Sequence, residues 1–281
     1  MILKKCLILL AGMLISVPGI ASDDLHLLQH VQHQAGFSLL EINDPYLSLL
    51  TYEGAGFRYN YVSTSFLKPE NPKVSFYNRL DFASGLTSNP ASTASVTYVG
   101  GAYSFGFRYH FKPYKNFTFL GGGLLRTDYM MRNNSRNVNN PFNMDVAVGL
   151  YAQLTGRYDF SIFKKPVFIS LNLETPLSGL MFVPHPGLSY YEIYLRKNIM
   201  SELHLSSFHN KTGLHQQLKF TIPFKTSVWS IGIQSEYQQY QVYDYVYRHN
   251  ELSLMMGIQY NLKYFSGTKS KIPDHYLTPG L

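Results

Sequence analysis

In the stretch "GAYSFGFRYHF", Gly101 to Phe111, the residues Tyr103, Phe105, Phe107, Tyr109 and Phe111 alternate with Ser104, Gly106, Arg108 and His110. An extended backbone sends successive side chains to opposite faces, so one face is aromatic and the other small or polar. The same period of two recurs along the chain. Val146, Val148, Leu150, Ala152, Leu154, Tyr158 and Phe160 oppose Asp145, Gly149, Tyr151, Gln153, Thr155, Arg157 and Asp159. Leu252, Leu254, Met256, Ile258, Tyr260 and Leu262 oppose Glu251, Ser253, Gly257, Gln259, Asn261 and Lys263. Shorter dyads appear in "VFISLNLET", "QQLKFTIPF", where Leu218, Phe220 and Ile222 oppose Lys219 and Thr221, and "WSIGIQSEY".

Length separates the two architectures that fit this pattern. Strands of a soluble sandwich run about five or six residues, whereas a tilted transmembrane strand needs roughly 9 to 11. Several of these runs exceed that, and their second face carries Gly, Ser, Gln, Asn and charges of both signs, as a crowded polar lumen requires. The fold class expected is therefore all-β: a single antiparallel transmembrane β-barrel. Strands are predicted near 46–52, 57–67, 73–86, 96–111, 116–131, 142–160, 166–175, 189–196, 200–209, 214–224, 227–242 and 250–264. That is twelve; merging the pair on either side of Lys197 to Ile199 and dropping the first leaves ten as the alternative. Alternate connections ("KPENP", "KPYK", "SIFKK", "KNI", "KTS") are short and carry Lys, while the others are longer and mostly free of it. Short periplasmic turns and long external loops give this alternation if the N-terminus is periplasmic.

The ends of the chain set its context. Lys4 and Lys5 precede an apolar run ending in Val17, Pro18 and the small residues Gly19 and Ala21, the pattern of a cleavable signal peptide over 1–21. Residues 22–44, rich in His and Gln, are expected to be a periplasmic lead-in, 45–265 the barrel and 266–281 a tail. The one cysteine, Cys6, lies in the leader, so no disulfide framework or thiolate chemistry is expected in the mature chain. With 23 Tyr, 19 Phe and a single Trp, the composition favours strands and interfacial girdles over helices. A formal charge of +7 fits anionic lipid head groups or a pore lining better than nucleic acid in an exported protein. The expected partners are outer-membrane lipid, lipopolysaccharide and the barrel-assembly machinery, and the expected location is the outer membrane.

Candidate chemistry is sparse. Arg108, Arg126, Asp128, Asp145, Gln153, Arg157 and Asp159, with Tyr151, are candidates to line the lumen as charge pairs or as a selectivity lining. In "ELHLSSFHNKTG", Glu202, His204 and Ser206 share one face of a strand. That spacing is similar to outer-membrane phospholipases and lipid A deacylases, where an imidazole takes the serine proton and a third group orients the ring. The Asn and Gly that normally follow the serine there are replaced by Ser207 and Phe208. His26, His30 and His33 would share a face if helical, a metal-compatible spacing without a completing carboxylate or Cys. Gly121 to Gly123 lack the Lys of a phosphate loop and read as relief of crowding in the wall. No cofactor and no metal are expected.

Two segments carry a resemblance. "LLEINDPYLSLLTYEGAG", with Tyr46, Leu47, Ser48, Leu49, Tyr52 and Gly54, is the first. "LETPLSGLMFVPHPGLSYYEIYL", with Pro176, Gly179, Pro184, Gly187, Tyr190, Tyr191 and Glu192, is the second. Both resemble an uncharacterised Bacteroidetes family of exported proteins, a DUF3316-like domain of unknown function. The resemblance implies an outer-membrane barrel and brings no activity or functional residue with it. The function expected is a non-enzymatic barrel with a narrow lumen for small-solute passage, binding or a structural role; the alternative is a lipid-modifying hydrolase using His204 and Ser206.

Overall fold

A computed structural model describes residues 28–263 apart from 69–71, 138–140, 163–164, 186–187, 197–198 and 225–227. The leader 1–21 and the tail 266–281 lie outside the described residues. Eleven strands follow in chain order: β1 Leu28–Asn43, β2 Thr51–Phe66, β3 Val74–Ser88, β4 Ser95–Tyr114, β5 Phe117–Asn134, β6 Phe142–Ile162, β7 Lys165–Phe182, β8 Leu203–Ser207, β9 Lys211–Pro223, β10 Val228–Val242 and β11 Tyr245–Lys263. A helix, α1, occupies Tyr190–Arg196, and a 3-10 turn Ile199–Glu202 precedes β8. Among the described residues no helix is long and apolar enough to cross a membrane.

Ten strands close into an antiparallel ring, each pairing with its neighbours in the order β1 to β7, then β9, β10 and β11. The seam is β1 against β11, in register from Leu28 opposite Lys263 to Asn43 opposite Arg248. Closure leaves no sheet edge within the ring, which is what a spanning sheet needs in a solvent that cannot satisfy free N–H and C=O groups. The expected twelve strands are thus corrected to ten, although not by the route anticipated. The segment 22–44 is not a lead-in: from Leu28 to Asn43 it is the first strand. Of the predicted strand 46–52, residues 46–50 form turns and bends, and only 51–52 are strand, as the start of β2. The predicted strand 189–196 is a helix, because Ser189 and Glu192 form a reciprocal cap: the Ser189 hydroxyl accepts the Glu192 N–H at 3.2 Å, and the Glu192 carboxylate accepts the Ser189 N–H at 2.7 Å.

The eleventh strand, β8, lies outside the ring count, paired to the outer end of β7 from Ser178 opposite Ser207 to Phe182 opposite Leu203. Below it β7 pairs instead with β9, up to Glu174 opposite His215. Pro176 sits between these two partners, where its missing N–H costs no ladder bond. The β6–β7 register shifts at the same level, between Leu150 and Tyr151. The close approach there requires glycine: a Cβ on Gly179 would lie 2.3 Å from the Val148 carbonyl oxygen.

The alternation sorts the side chains as read from the sequence. Phe105, Phe107, Tyr109 and Phe111 face outward, with Phe107 53% exposed, while Ser104 and Arg108 are buried inside. Leu150, Leu154, Leu171, Leu218, Ile233, Leu254 and Met256 continue the exposed belt around the ring. A soluble monomer rarely exposes a contiguous apolar patch beyond a few hundred Å², so a belt that encircles every strand is the surface of a bilayer-embedded protein. Near the end where β1 begins and β11 finishes, the termini end of the ring, it is rimmed by Tyr61, Tyr109, Tyr158, Trp229 and Tyr260. His33 joins this rim, its ring nitrogens bonded to the Tyr59 and Tyr260 hydroxyls, each at 2.7 Å.

The connections at the termini end are 67–73, 115–116, 163–164 and 224–227; those at the opposite end include 44–50, 135–141 and the long 183–202 segment. "KNI" belongs to this last, long connection rather than to a short turn. Tyr243 and Asp244 close the β10–β11 hairpin with φ of 52° and 64°, the positive pair that a tight twisted hairpin demands.

Facing can be tested by charge. Leu150→Arg should cost about 2–4 kcal/mol of folding free energy in liposomes, whereas Thr155→Arg, inward on the same strand, should cost far less; equal losses in urea titrations would contradict the assignment.

Candidate functional site

The lumen is filled by a chain of ion pairs. Its units begin as Arg-x-Asp, a spacing that places both side chains on the inner face of one strand. Arg79 pairs with Asp81 at 2.7 Å, Arg126 with Asp128 at 2.6 Å and Arg157 with Asp159 at 2.6 Å, each through the guanidinium Nε. The terminal nitrogens then remain free to cross the barrel. Those of Arg79 reach both oxygens of Glu174 at 2.6 Å. Arg126 reaches Glu236 at 2.7 Å, and Glu236 also binds Arg58 at 2.6 Å. Arg58 continues to Glu251, its Nε donating at 2.7 Å.

These pairs tie six strands, β2, β3, β5, β7, β10 and β11, together across the interior. Further polar groups complete the layer. Tyr151 donates to Asp128 at 3.0 Å and Gln153 to Glu174 at 2.9 Å. Asn172 donates to Glu174 and Ser38 to Glu251. A cavity of about 20 Å³, lined by Arg58, Asp81, Tyr98, Arg126, Glu236 and His249, adjoins this layer. Such a space is on the scale of one water molecule.

Above this layer the end opposite the termini is sealed. Arg132, fully buried, pairs with Asp145 of β6 and with Asp44 of the 44–50 loop at 2.8 Å. Its guanidinium lies 4.1 Å from the centre of the Tyr247 ring. Asn143 donates to Asp44 at 3.0 Å, and Leu47 and Ile193 of α1 are buried beneath the cap. The Tyr46 hydroxyl donates to the Leu188 carbonyl at 2.7 Å. Burial, with Asp44 and Glu192 nearby, pushes this phenol from 10.0 up to about 12. A raised phenol keeps its proton, so the contact is fully present below pH 10 and is lost as pH rises through about 12.

The sequence-derived lumen candidates Arg108, Arg126, Asp128, Asp145, Gln153, Arg157 and Asp159 all face inward. Arg126, Asp128 and Gln153 meet in the central layer, Asp145 serves the cap, and Arg108, Arg157 and Asp159 lie toward the termini end. The sequence reading does not single out Arg58, Arg79, Asp81, Glu174, Glu236 and Glu251; the repeated Arg-x-Asp spacing signals only the same-strand pairs and none of those that cross the lumen. Gly122, of the glycine triplet, has no room for a Cβ, which would fall 2.1 Å from the Phe107 carbonyl oxygen, whereas Gly121 faces open space.

The other candidates are not brought together. Glu202 ends the 3-10 turn, and its carboxylate accepts from the His185 N–H at 2.6 Å and the Ser201 hydroxyl at 2.9 Å. His204 packs edge-on against Tyr243, with ring centres 4.9 Å apart, and its Nε2 has no hydrogen-bond partner among the described residues. No hydrogen bond among the described residues joins Glu202, His204 and Ser206. The carboxylate organises the loop instead of orienting an imidazole. His30 and His33 are on a strand, on opposite faces, which removes the shared helical face; His26 lies outside the described residues. Among the described residues no group of three His, Cys, Asp or Glu side chains is placed to hold a metal ion.

An apolar outer belt around a closed ring with an ion-paired interior defines a transmembrane β-barrel. The chain belongs to the family described as a protein of unknown function (DUF3316), whose model matches residues 6–269. No curated protein matches it. Among solved structures it is similar to the outer membrane protease OmpT from Escherichia coli, with 6% identity, 88% of this chain and 100% of that one covered, and a TM-score of 0.46. It is also similar to the translocator domain of the autotransporter NalP from Neisseria meningitidis, with 11% identity, 92% and 96% covered, and a TM-score of 0.39. A third is the COG4313 outer membrane channel from Pseudomonas putida F1, with 9% identity, 88% and 100% covered, and a TM-score of 0.32.

Removing one partner of a buried ion pair leaves a charge uncompensated. Arg58→Met, which strands Glu251, should therefore lose about 3–5 kcal/mol in urea unfolding from liposomes, and adding Glu251→Leu should restore most of it. A single-variant loss below about 1 kcal/mol would show that the pair is solvated.

Proposed function

We propose that this chain is an outer-membrane β-barrel without a through-channel of porin size, serving small-solute binding or a structural role rather than catalysis. The observation that carries the reading is the ionic layer of Arg58, Arg79 and Arg126 with Asp81, Glu174, Glu236 and Glu251, which crosses the whole lumen. A ten-strand ring is close in size to the eight-strand barrels that their own side chains fill, and far from the porins of 16 to 18 strands. The cap formed by Asp44, Leu47 and α1 adds a second closure at one end.

The apolar belt and its aromatic rim support a bilayer partner, and the signal-peptide pattern at 1–21 supports export to the outer membrane. Lipopolysaccharide and phospholipid are then the lipids at the belt, and the barrel-assembly machinery is the route of insertion. Short connections on the termini side favour periplasmic termini, with 44–50, 135–141 and 183–202 outside. The hydrolase alternative would need coupling between His204 and Ser206, and no hydrogen bond joins the two among the described residues.

Planar-bilayer recordings on the purified full chain test the closed lumen. Wild-type protein should give no stable openings of general-porin size; such openings would overturn the reading.

A further inference from the structure

The lumen between the ionic layer and the termini end differs from the rest in charge. The first two Arg-x-Asp units send their remaining guanidinium nitrogens to a carboxylate on another strand, Arg79 to Glu174 and Arg126 to Glu236. The third does not. Arg157 uses Nε on Asp159 and lies 4.0 Å from the centre of the Phe168 ring, and no second carboxylate meets it among the described residues.

Two more cations in the same region have no carboxylate partner among the described residues. Arg108 is 8% exposed; it donates to Thr64 Oγ1 at 3.0 Å, its guanidinium stacks 4.2 Å from the centre of the Tyr77 ring, and its Nε has no partner. Lys219 donates to Gln32 Oε1 at 2.8 Å.

The register brings the three together. Arg157 is opposite Ser170, and Ser170 is opposite Lys219, so the two cations flank one inward serine across about two strand spacings of roughly 5 Å each. Lys219 and Arg108 reach toward Gln32 and Thr64, diagonal neighbours on the β1–β2 pair, about 7–8 Å apart.

The neutral groups nearby agree in sign. Gln32 Nε2 and Gln259 Nε2, opposite one another across β1 and β11, are buried donors without partners among the described residues. Solvent reaches this region: Thr155, Arg157, Ser170, Gln217 and Lys219 are only partly buried, unlike Arg79, Arg126 and Glu174 in the layer that closes it. Among the described residues it is a vestibule closed on one side by the ionic layer, with an excess of cations and unused donors.

We propose that this vestibule binds a small soluble oxyanion, a phosphate or carboxylate, in the place that a trans-lumen carboxylate takes for the other two Arg-x-Asp units. Arg157, Lys219 and Arg108 supply the charge, and Gln32 and Gln259 supply neutral donors. A guanidinium fork and an ammonium suit an oxyanion's several acceptor oxygens. The inward position faces away from the bilayer, so the ligand is a solute and not a lipid headgroup. This rests on the closed-lumen reading, since an open pore would pass the anion instead of holding it.

The test is calorimetric titration of the folded full chain in detergent with inorganic phosphate, folding being checked by heat-modifiable migration on gels. Saturable binding should weaken at least tenfold in Lys219→Gln and in Arg108→Gln, and stay unchanged in Arg248→Gln, whose side chain is on the outer face. Arg157→Gln replaces Arg108→Gln if that variant does not fold. Absent binding, or binding that neither lumen substitution weakens, would overturn the inference. If the barrel stays non-conducting in either case, the closed-lumen reading stands apart from it; porin-sized openings would refute that reading whether or not phosphate binds.

Discussion

Glu236 is the point on which the interior turns. Its carboxylate joins Arg58 of β2 to Arg126 of β5 across the lumen. Around that bridge Arg58, Arg79 and Arg126 each meet a carboxylate on another strand, so that this layer of a ten-strand ring is polar while its side chains are buried. Taking isolated charges from water is costly, and attraction offsets this only where geometry is good and the remaining donors and acceptors are used. The Arg-x-Asp units meet that condition by dividing labour within one guanidinium: Nε holds the acid on the same strand while the terminal nitrogens hold the acid on the far wall.

The outer surface follows from the same geometry. A period of two that sends Arg126 and Asp128 inward must send Leu125, Thr127 and Tyr129 outward, so an ionic interior and an apolar belt are two consequences of one alternation. The arrangement is also asymmetric along the axis. Toward the capped end, Arg132 is neutralised by Asp44 and Asp145; toward the termini, Arg108 and Lys219 are not neutralised by any described carboxylate. The charge pattern therefore gives the barrel a sealed end and a receptive one.

Most of this was legible in the chain, and the exceptions have physical causes. β4, β6 and β11 are legible residue by residue because their outward faces carry long runs of large apolar side chains, Tyr103 to Phe111, Val146 to Leu154 and Leu252 to Tyr260. β1 escaped notice because its outward face includes His33 and Ala35, and its inward face of His30, Gln32, Gln34 and Ser38 reads as a polar lead-in. Only pairing with β2 and β11 makes that face a lumen. α1 reads as a strand because Tyr190, Tyr191, Ile193 and Tyr194 are strand-forming residues; the local signal for the helix is the Ser189 and Glu192 cap, three residues apart. The pairing of Arg126 with Glu236 was not legible at all, since nothing local links residues on β5 and β10.

A double-mutant cycle at Arg126 and Glu236, measured by reversible unfolding from liposomes, tests that bridge most directly. The single variants Arg126→Met and Glu236→Gln and their combination should show a coupling of about 1–3 kcal/mol. Effects that add to within about 0.5 kcal/mol would contradict a lumen closed by charges that meet across it.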